Sequence, residues 1–346
     1  MVTIIDVARA AGVSKSTVSR VLDERLPPSN SPTAQRVRQA AADLGYVKDS
    51  LAAGLRRAGT STIGVVVPRL TDTVMAMFFE AVAAAAGTRG LFALVATTDD
   101  DPGTQARAVE ALLRRRVDGL VLTTSRITQD HDPGVAGVET AQDGIGASTV
   151  PLVLALREDG HCPAAVGDDE LGAMLATRHL LDLGHRRIGL VGGPEYASSA
   201  RGRRRGYQTA LDRAGVGLET ELIAGDAFSM QAGEEAGARL LTSAQPPSAI
   251  FAVNDNTAIG VMAAAHALGF QVPRDLSVVG YNDIPVVSRL PVPLTTVRVP
   301  FDQIAVNALD LLDQARRGEP ARTLVSTPTL IPRETTAPPR ESSLTL

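Results

Sequence analysis

The chain has 346 residues, 44% hydrophobic, and 34 lysines and arginines against 38 aspartates and glutamates give a net charge of −4. That length allows two or three domains with a substantial core, while the single cysteine, Cys162, excludes an internal disulfide and a cysteine-based zinc site. No run of eighteen or more apolar residues occurs, and the N-terminus lacks the order of a signal peptide, so we expect a cytoplasmic protein with no membrane association.

Charge is unevenly placed. Residues 1–60 hold nine Lys or Arg against five Asp or Glu, a net of +4, so by subtraction from −4 the remainder carries −8. A small basic head on an acidic body suits a protein whose head alone meets phosphate. The two lysines, Lys15 and Lys48, do not follow a glycine, which excludes a phosphate-binding Walker loop.

Within the head, Thr3 and Asp6 form a capping box for a first helix, with Ile4, Val7, Ala8 and Ala11 on its apolar face. Gly12 supplies a tight turn, because glycine alone takes a left-handed backbone without steric cost. Ser14 caps a second helix whose Val18, Val21 and Leu22 face inward and whose Lys15, Ser16, Ser19 and Arg20 face outward. An outward row of this kind suits a recognition helix in a major groove: Arg20 can form a two-pronged bond to guanine, Lys15 can reach a base edge or a phosphate, and hydroxyls near the helix start can hold phosphates. The alternative is an ordinary surface hairpin with a solvated polar face. Ser31-Pro32 then starts a third helix, with Val37, Ala40, Ala41 and Leu44 as its buried face and Gly45 as its end.

The segments Thr3-Ile4-Ile5-Asp6-Val7-Ala8-Arg9-Ala10-Ala11-Gly12-Val13-Ser14 and Ser16-Thr17-Val18-Ser19-Arg20-Val21-Leu22 resemble the head of the lac repressor and galactose repressor family of bacterial transcription regulators. Residues Asp49 to Arg57 are a further helical pattern, too short to hold a helix alone in water. By resemblance this is a hinge helix that folds on DNA, with Leu55 wedged into a minor-groove step and Ala52 and Ala53 beside the groove; the alternative is a flexible linker. The DNA-contacting set implied is Thr3, Ser14, Lys15, Ser16, Thr17, Ser19, Arg20, Ala52, Ala53 and Leu55.

From Thr62 the pattern changes to alternating strand and helix. Strands are predicted at 63–67, 91–96, 119–122 and 150–156, with helices near 73–89 and 103–116; residues 126–148 form a glycine-rich stretch without a clear assignment. The theme repeats with helices at 169–183, 199–214, 229–242 and 255–268 and strands at 187–191, 222–224, 249–253 and 276–280, followed by a helix at 301–317. The fold class is therefore α/β: two successive parallel sheets flanked by helices, forming two lobes behind a helix-turn-helix head. Ligands in such sheets bind beyond the carboxyl ends of the strands, which places a pocket between the lobes. By resemblance the body is like a periplasmic binding protein, and the chain crosses between lobes three times. The expected boundaries are 1–47 for the head, 48–60 for the hinge, and 61–334 for the body, followed by a tail at 335–346. Lobe 1 is expected at about 61–160 and 298–320 and lobe 2 at about 161–297 and 321–334.

For the pocket, Gly192-Gly193-Pro194 and the arginine-rich run after Ser198 resemble the family's loop and helix, which implies that Arg203 holds the effector. Arg201, Arg204 and Arg205 read as a solvated basic face. In Phe251-Ala252-Val253-Asn254-Asp255, Asn254 ends a strand and can serve a polyol, while Asp255 is expected to cap the next helix. Asn282, in Val278-Val279-Gly280-Tyr281-Asn282-Asp283, stands where many members carry aspartate. Phe228 and Phe301 match aromatics that stack on the ligand, with a plain core role as the alternative for each. Leu156 and Val299 replace polar residues, so the pocket is expected to be less polar than a typical sugar site.

These residues imply a regulator, most simply a repressor, that binds a palindromic operator as a homodimer and responds to a sugar or sugar derivative. Neither cofactor nor metal is expected. An enzyme is disfavoured, because no Gly-x-Ser-x-Gly elbow occurs and the five histidines lack metal-ligand spacing. A small-molecule-binding protein without DNA-dependent regulation would fit the body alone.

Overall fold

A computed structural model describes residues 2–22, 27–46, 60–124 and 150–340. The chain divides into two units, Met1–Thr60 and Ser61–Leu346. The hinge segment with Ala52, Ala53 and Leu55, and the glycine-rich 126–148 stretch, lie outside the described residues.

The first unit packs three helices, α1 (Ile4–Ala11), α2 (Lys15–Val21) and α3 (Pro32–Asp43), around a small core of Val7, Ala8, Ala11, Val18, Val37 and Ala41. Asp6 closes the capping box of α1, its carboxylate accepting from Thr3 N at 2.9 Å and from Thr3 Oγ at 2.7 Å. Gly12, at φ 65°, ends α1 in the left-handed conformation and lets its own amide and that of Val13 bond back to Arg9 and Ala8 carbonyls. Ser14 Oγ then accepts from Thr17 N at 3.2 Å to start α2. In α3 the buried face is Ala34, Val37 and Ala41; Leu44, expected inside, is 37% exposed because the helix ends there and turns through Gly45.

The second unit contains two six-stranded sheets. The first has the order β11-β5-β4-β3-β1-β2 and is wholly parallel: β1 (Thr62–Val67), β2 (Phe92–Thr97), β3 (Gly119–Leu122), β4 (Leu152–Ala155), β5 (Ala164–Gly167) and β11 (Thr323–Ser326). Its helices are α4 (Thr73–Thr88), α5 (Pro102–Arg114) and α10 (Phe301–Arg316). The second sheet has the order β12-β10-β9-β8-β6-β7 and is parallel except for its antiparallel edge β12: β6 (Ile188–Val191), β7 (Ile223–Ala224), β8 (Ala249–Ala252), β9 (Ser277–Asn282), β10 (Thr295–Arg298) and β12 (Thr329–Ile331). Around it run α6 (Asp169–Asp182), α7 (Ser198–Arg213), α8 (Met230–Leu241) and α9 (Asp255–Ala267). Runs such as Val65-Val66-Val67 and Val278-Val279 are buried because helices cover both faces of the sheets.

Lobe boundaries differ from those expected. β5 at 164–167 and β11 at 323–326 pair with each other in the first sheet, so the crossings fall at Asp168, at Val299-Pro300 and at Thr327-Pro328. These strands, with β10 and β12, are only 3 or 4 residues long, too short to display a strand period in the sequence. The tail expected from residue 335 is also part of the second lobe. Thr335 is fully buried, its Oγ1 donating to Val278 O at 2.7 Å and accepting from Thr295 N at 2.9 Å, and Ala337 O accepts from Ser277 Oγ at 3.0 Å.

Two packing details bear on stability. The helices α8 and α9 meet so closely at Gly260 that a Cβ there would lie 2.0 Å from Met230 O and 2.6 Å from Glu234 N. Asp255, expected to cap α9, is instead fully buried in the first turn, with Asn254 as the cap. Its carboxylate accepts from Thr296 Oγ1 at 2.6 Å and from Ile284 N at 2.8 Å, tying α9 to β10 and to the loop after β9. Burial pushes this carboxyl up to about 7, against the hydrogen bonds that favour its charge.

Gly260→Ala should lower unfolding free energy by about 1–3 kcal/mol or more through overpacking against backbone. Gly87→Ala, in α4 with nothing within 4 Å of the added methyl, should raise it by about 0.5–1 kcal/mol. Urea unfolding of both variants checks the contrast. Because the folded state holds the Asp255 proton more tightly than the unfolded chain does, its contribution is full below pH 4 and is lost as pH rises through about 7. The stability of the wild type minus that of Asp255→Asn should therefore fall between about pH 4 and 7 and level off above, by at most about 1.4 kcal/mol per pH unit; a flat difference would remove the effect.

Candidate functional site

In the first unit the outward row of α2 forms a compact polar surface. Ser14, Lys15, Ser16 and Arg20 are exposed, while Thr17 and Ser19 are half-buried. Ser14 Oγ lies 2.8 Å from both Ser16 Oγ and Thr17 Oγ1, so three hydroxyls gather at the N-terminus of α2, where free amides favour an anion. Val18 points the other way into the core and fixes which face is presented. Thr3 is exposed at the start of α1.

In the second unit the strand ends of both sheets converge on a cavity of about 590 Å³. From the first lobe come Asp72, Asp99, Asp100, Leu156, Arg157 and Phe301; from the second come Tyr196, Arg203, Asp226, Phe228, Asn254 and Asn282; Asp169 follows the first crossing. All five residues expected to meet an effector, Arg203, Phe228, Asn254, Asn282 and Phe301, are in this wall. The reason is topological: Asn254, Asn282 and Phe301 lie at the carboxyl end of a strand or at the start of a helix, Phe228 is in the loop after β7, and Arg203 is in the second turn of α7. Three helix caps are in the wall as well. Asp72 caps α4 through Val74 N at 3.1 Å, Ser229 caps α8 through Ala232 N at 3.1 Å, and Asn254 caps α9 through Thr257 N at 2.8 Å.

Arg203 is buried and already well occupied. Its Nε donates to Asp169 Oδ1 at 2.8 Å, its Nη1 donates to Val253 O at 2.8 Å, and its guanidinium lies 3.8 Å from the centre of the Tyr281 ring. Burial raises the Asp169 carboxyl, and the attraction of Arg203 opposes the rise. Asn254 is likewise committed, since its Nδ2 donates to Phe228 O at 3.0 Å. Its second amide hydrogen and second lone pair are what it can offer a ligand. Phe301 belongs to the apolar core and also borders the cavity; Phe228 is half-buried at its edge.

The wall is more charged than Leu156 and Val299 suggested. Five aspartates and three arginines line it among the described residues, and most of the additions come from loops of the first lobe. Arg157 escaped notice in the sequence. It is buried, pairs with Asp100 Oδ1 at 3.4 Å, and its guanidinium lies 5.8 Å from the centre of the Tyr196 ring and 5.9 Å from that of Phe228. Tyr196 OH donates to Asp100 Oδ2 at 2.7 Å and Glu158 N donates to Ser198 Oγ at 2.9 Å, so hydrogen bonds join the lobes across the cleft. Asp99, Asp100, Leu156 and Asn282 all take positive φ here, strain of the kind that clusters at functional sites. Of the other arginines expected on a solvated face, Arg205 is exposed and pairs with Glu170, Arg204 is half-buried and pairs with Glu195, and Arg201 is half-buried with its Nε unpartnered.

Among the described residues no group of histidine, cysteine, aspartate and glutamate could hold a metal, and no helix is long and apolar enough to cross a membrane.

Comparison with known proteins agrees with both units. Residues 3–49 match the family described as bacterial regulatory proteins, lacI family, and residues 177–336 match the periplasmic binding protein-like domain. The ribose operon repressor of Escherichia coli K12 is 35% identical over 315 residues, covering 90% of this chain and 92% of that one. The crystal structure of the lac repressor dimer bound to operator and an anti-inducer superposes with a TM-score of 0.82 at 30% identity, covering 97% of this chain and 99% of that one. A lacI-family regulator from Enterococcus faecium with bound ribose gives a TM-score of 0.67 at 26% identity, covering 81% of this chain and all of that one. With a head of this pattern, a two-lobed body and a relative aligned over nine-tenths of its length, the chain belongs to the lacI family of bacterial regulatory proteins.

Proposed function

We propose that this regulator is a cytoplasmic, non-enzymatic repressor that binds a palindromic operator as a homodimer, and that a sugar or related metabolite held in the inter-lobe cavity controls that binding. The observation that carries the reading is the coexistence, in one chain, of an exposed Ser14–Arg20 row on a helix-turn-helix head and a strand-end cavity in the unit that follows it in sequence. Arg20 reaches a base edge, Lys15 a base edge or a phosphate, and Thr3, Ser14, Ser16, Thr17 and Ser19 position the head on phosphates. Ala52, Ala53 and Leu55 complete the contact from the hinge segment in the minor groove.

Dimerisation has a surface to use. β2 is the edge strand of the first sheet, and Phe92 and Leu94 on it are 76% and 40% exposed, an apolar edge that a soluble chain covers with a second copy. The relatives support each element: one is a ribose operon repressor, one is a dimer on operator DNA, and one holds ribose.

Within the cavity, Arg203, Asn254, Asn282, Phe228 and Phe301 are the proposed effector contacts. Effector binding changes how the lobes close across the Tyr196–Asp100 and Ser198–Glu158 bonds, and the first lobe passes the change to the hinge. The competing reading, a small-molecule binder without DNA-dependent regulation, accounts for the body and leaves the head without a task.

A gel shift with the intact chain and with a chain beginning at Thr60 separates the two readings, the first binding a palindromic duplex and the second not. Arg20→Ala should erase preference at one base pair, at a cost of about 1–3 kcal/mol; equal loss on every sequence would make Arg20 a phosphate contact. For the cavity, Arg203→Ala would strand a buried Asp169 and lower stability by about 3–5 kcal/mol, so Phe228→Ala is the cleaner probe. It should keep operator affinity and weaken the effector response, read as the effector concentration for a half-maximal gel shift.

A further inference from the structure

We propose that the cleft accepts only effectors without net negative charge, neutral polyols or amine-bearing ones, and rejects phosphorylated and carboxylate-bearing metabolites. This rests on the reading of the cavity as the effector site.

The argument is one of charge already spent. Three arginines border the cavity among the described residues, and each has an aspartate partner in the same wall: Arg203 with Asp169 at 2.8 Å, Arg157 with Asp100 at 3.4 Å and Arg69 with Asp99 at 3.8 Å. Binding an anion through any of them means sharing the guanidinium with a fixed carboxylate or displacing that carboxylate. For the two buried pairs, displacement leaves an uncompensated charge in a site that disfavours it. Arg203 has spent a further donor on Val253 O.

Two carboxylates remain. Asp72 and Asp226 border the same cavity and form no ion pair among the described residues. The formal charge of the wall is thus five negative against three positive, a net of −2. Asp72 is largely withdrawn from water, and burial raises its carboxyl despite the nearby Arg69 and Arg157. Its Oδ1 is engaged by Val74 N at 3.1 Å and Asn256 Nδ2 at 3.5 Å, both neutral donors.

Helix N-termini oppose this only weakly. The caps of α4, α8 and α9 are in the wall, but each first turn already has a side-chain oxygen bonded to one of its amides. An aspartate fills that position on α4. A phosphate would therefore meet fixed carboxylates with only the exposed Arg69, loosely paired with Asp99 at 3.8 Å, to offset them, whereas hydroxyls and ammonium groups meet acceptors on Asp72, Asp226, Asn254 and Asn282.

The test uses the full chain and an operator duplex. A protein-free small-molecule extract of the encoding organism is split by ion exchange at neutral pH into anionic, neutral and cationic fractions, and each is titrated into the binding assay at constant salt. The expected result is a change of roughly 5- to 150-fold in half-saturation with the neutral or cationic fraction, and no change with the anionic one. A response confined to the anionic fraction leaves the effector reading intact and overturns the charge rule. No response in any fraction overturns the effector reading itself, and the charge rule with it.

Discussion

The cleft depends on one buried ion pair. Asp169 is the first residue of α6, directly after the crossing from β5, and Arg203 is on α7 of the second lobe, with its guanidinium over Tyr281 and bonded to the last residue before Asn254. The pair thus fixes where the chain enters the second lobe relative to β8 and β9. It also fixes the backbone that orients Asn254, whose amide in turn holds Phe228 O. A buried pair is weak evidence of added stability, since an apolar substitute of equal shape does as well. Its value is geometric: three strand ends and two helix starts are held in register around one guanidinium.

The rest of the cavity is built on a different principle, strained turns held by a rigid sheet. Leu156 at φ 63° follows β4 and delivers Arg157 between the aromatic rings of Tyr196 and Phe228, where a relaxed backbone would carry the chain on outward. Asn282 at φ 106° has a side chain that tolerates this conformation better than most. Its occupation of a position often aspartate in the family is therefore consistent with backbone demands as well as with ligand chemistry.

Much of this was legible in the chain, and the division follows the range of the interactions. The head could be read because its capping box, turn glycine and apolar faces repeat within four residues. The helix order and the long apolar strands emerged for the same reason. The five proposed effector contacts end up on one wall because strand ends can be located from local pattern and the topology does the rest. What escaped were pairings over long separations. Asp100 with Tyr196 spans 96 residues and Asp255 with Thr296 spans 41, so a residue assigned to a helix cap proved to be a buried clamp. Thr335 reads as the start of a tail until Val278 and Thr295 are placed beside it.

Control of DNA binding by so small a site is reasonable on energetic grounds. A coupling of about 1–3 kcal/mol between effector and operator suffices for a 5- to 150-fold response. Each hydrogen bond across the cleft contributes on the order of 1 kcal/mol net, because water competes for the same groups when the lobes part. The Tyr196–Asp100 and Ser198–Glu158 bonds therefore supply an energy of the right size: strong enough to bias closure, weak enough for a ligand to rearrange. The three crossings at Asp168, Val299-Pro300 and Thr327-Pro328 are short, and prolines stiffen two of them. Short crossings of this kind favour rotation of one lobe on the other over local loosening, so in the proposed reading a change of hydrogen bonding in the cleft would be felt as a change in the angle between the lobes.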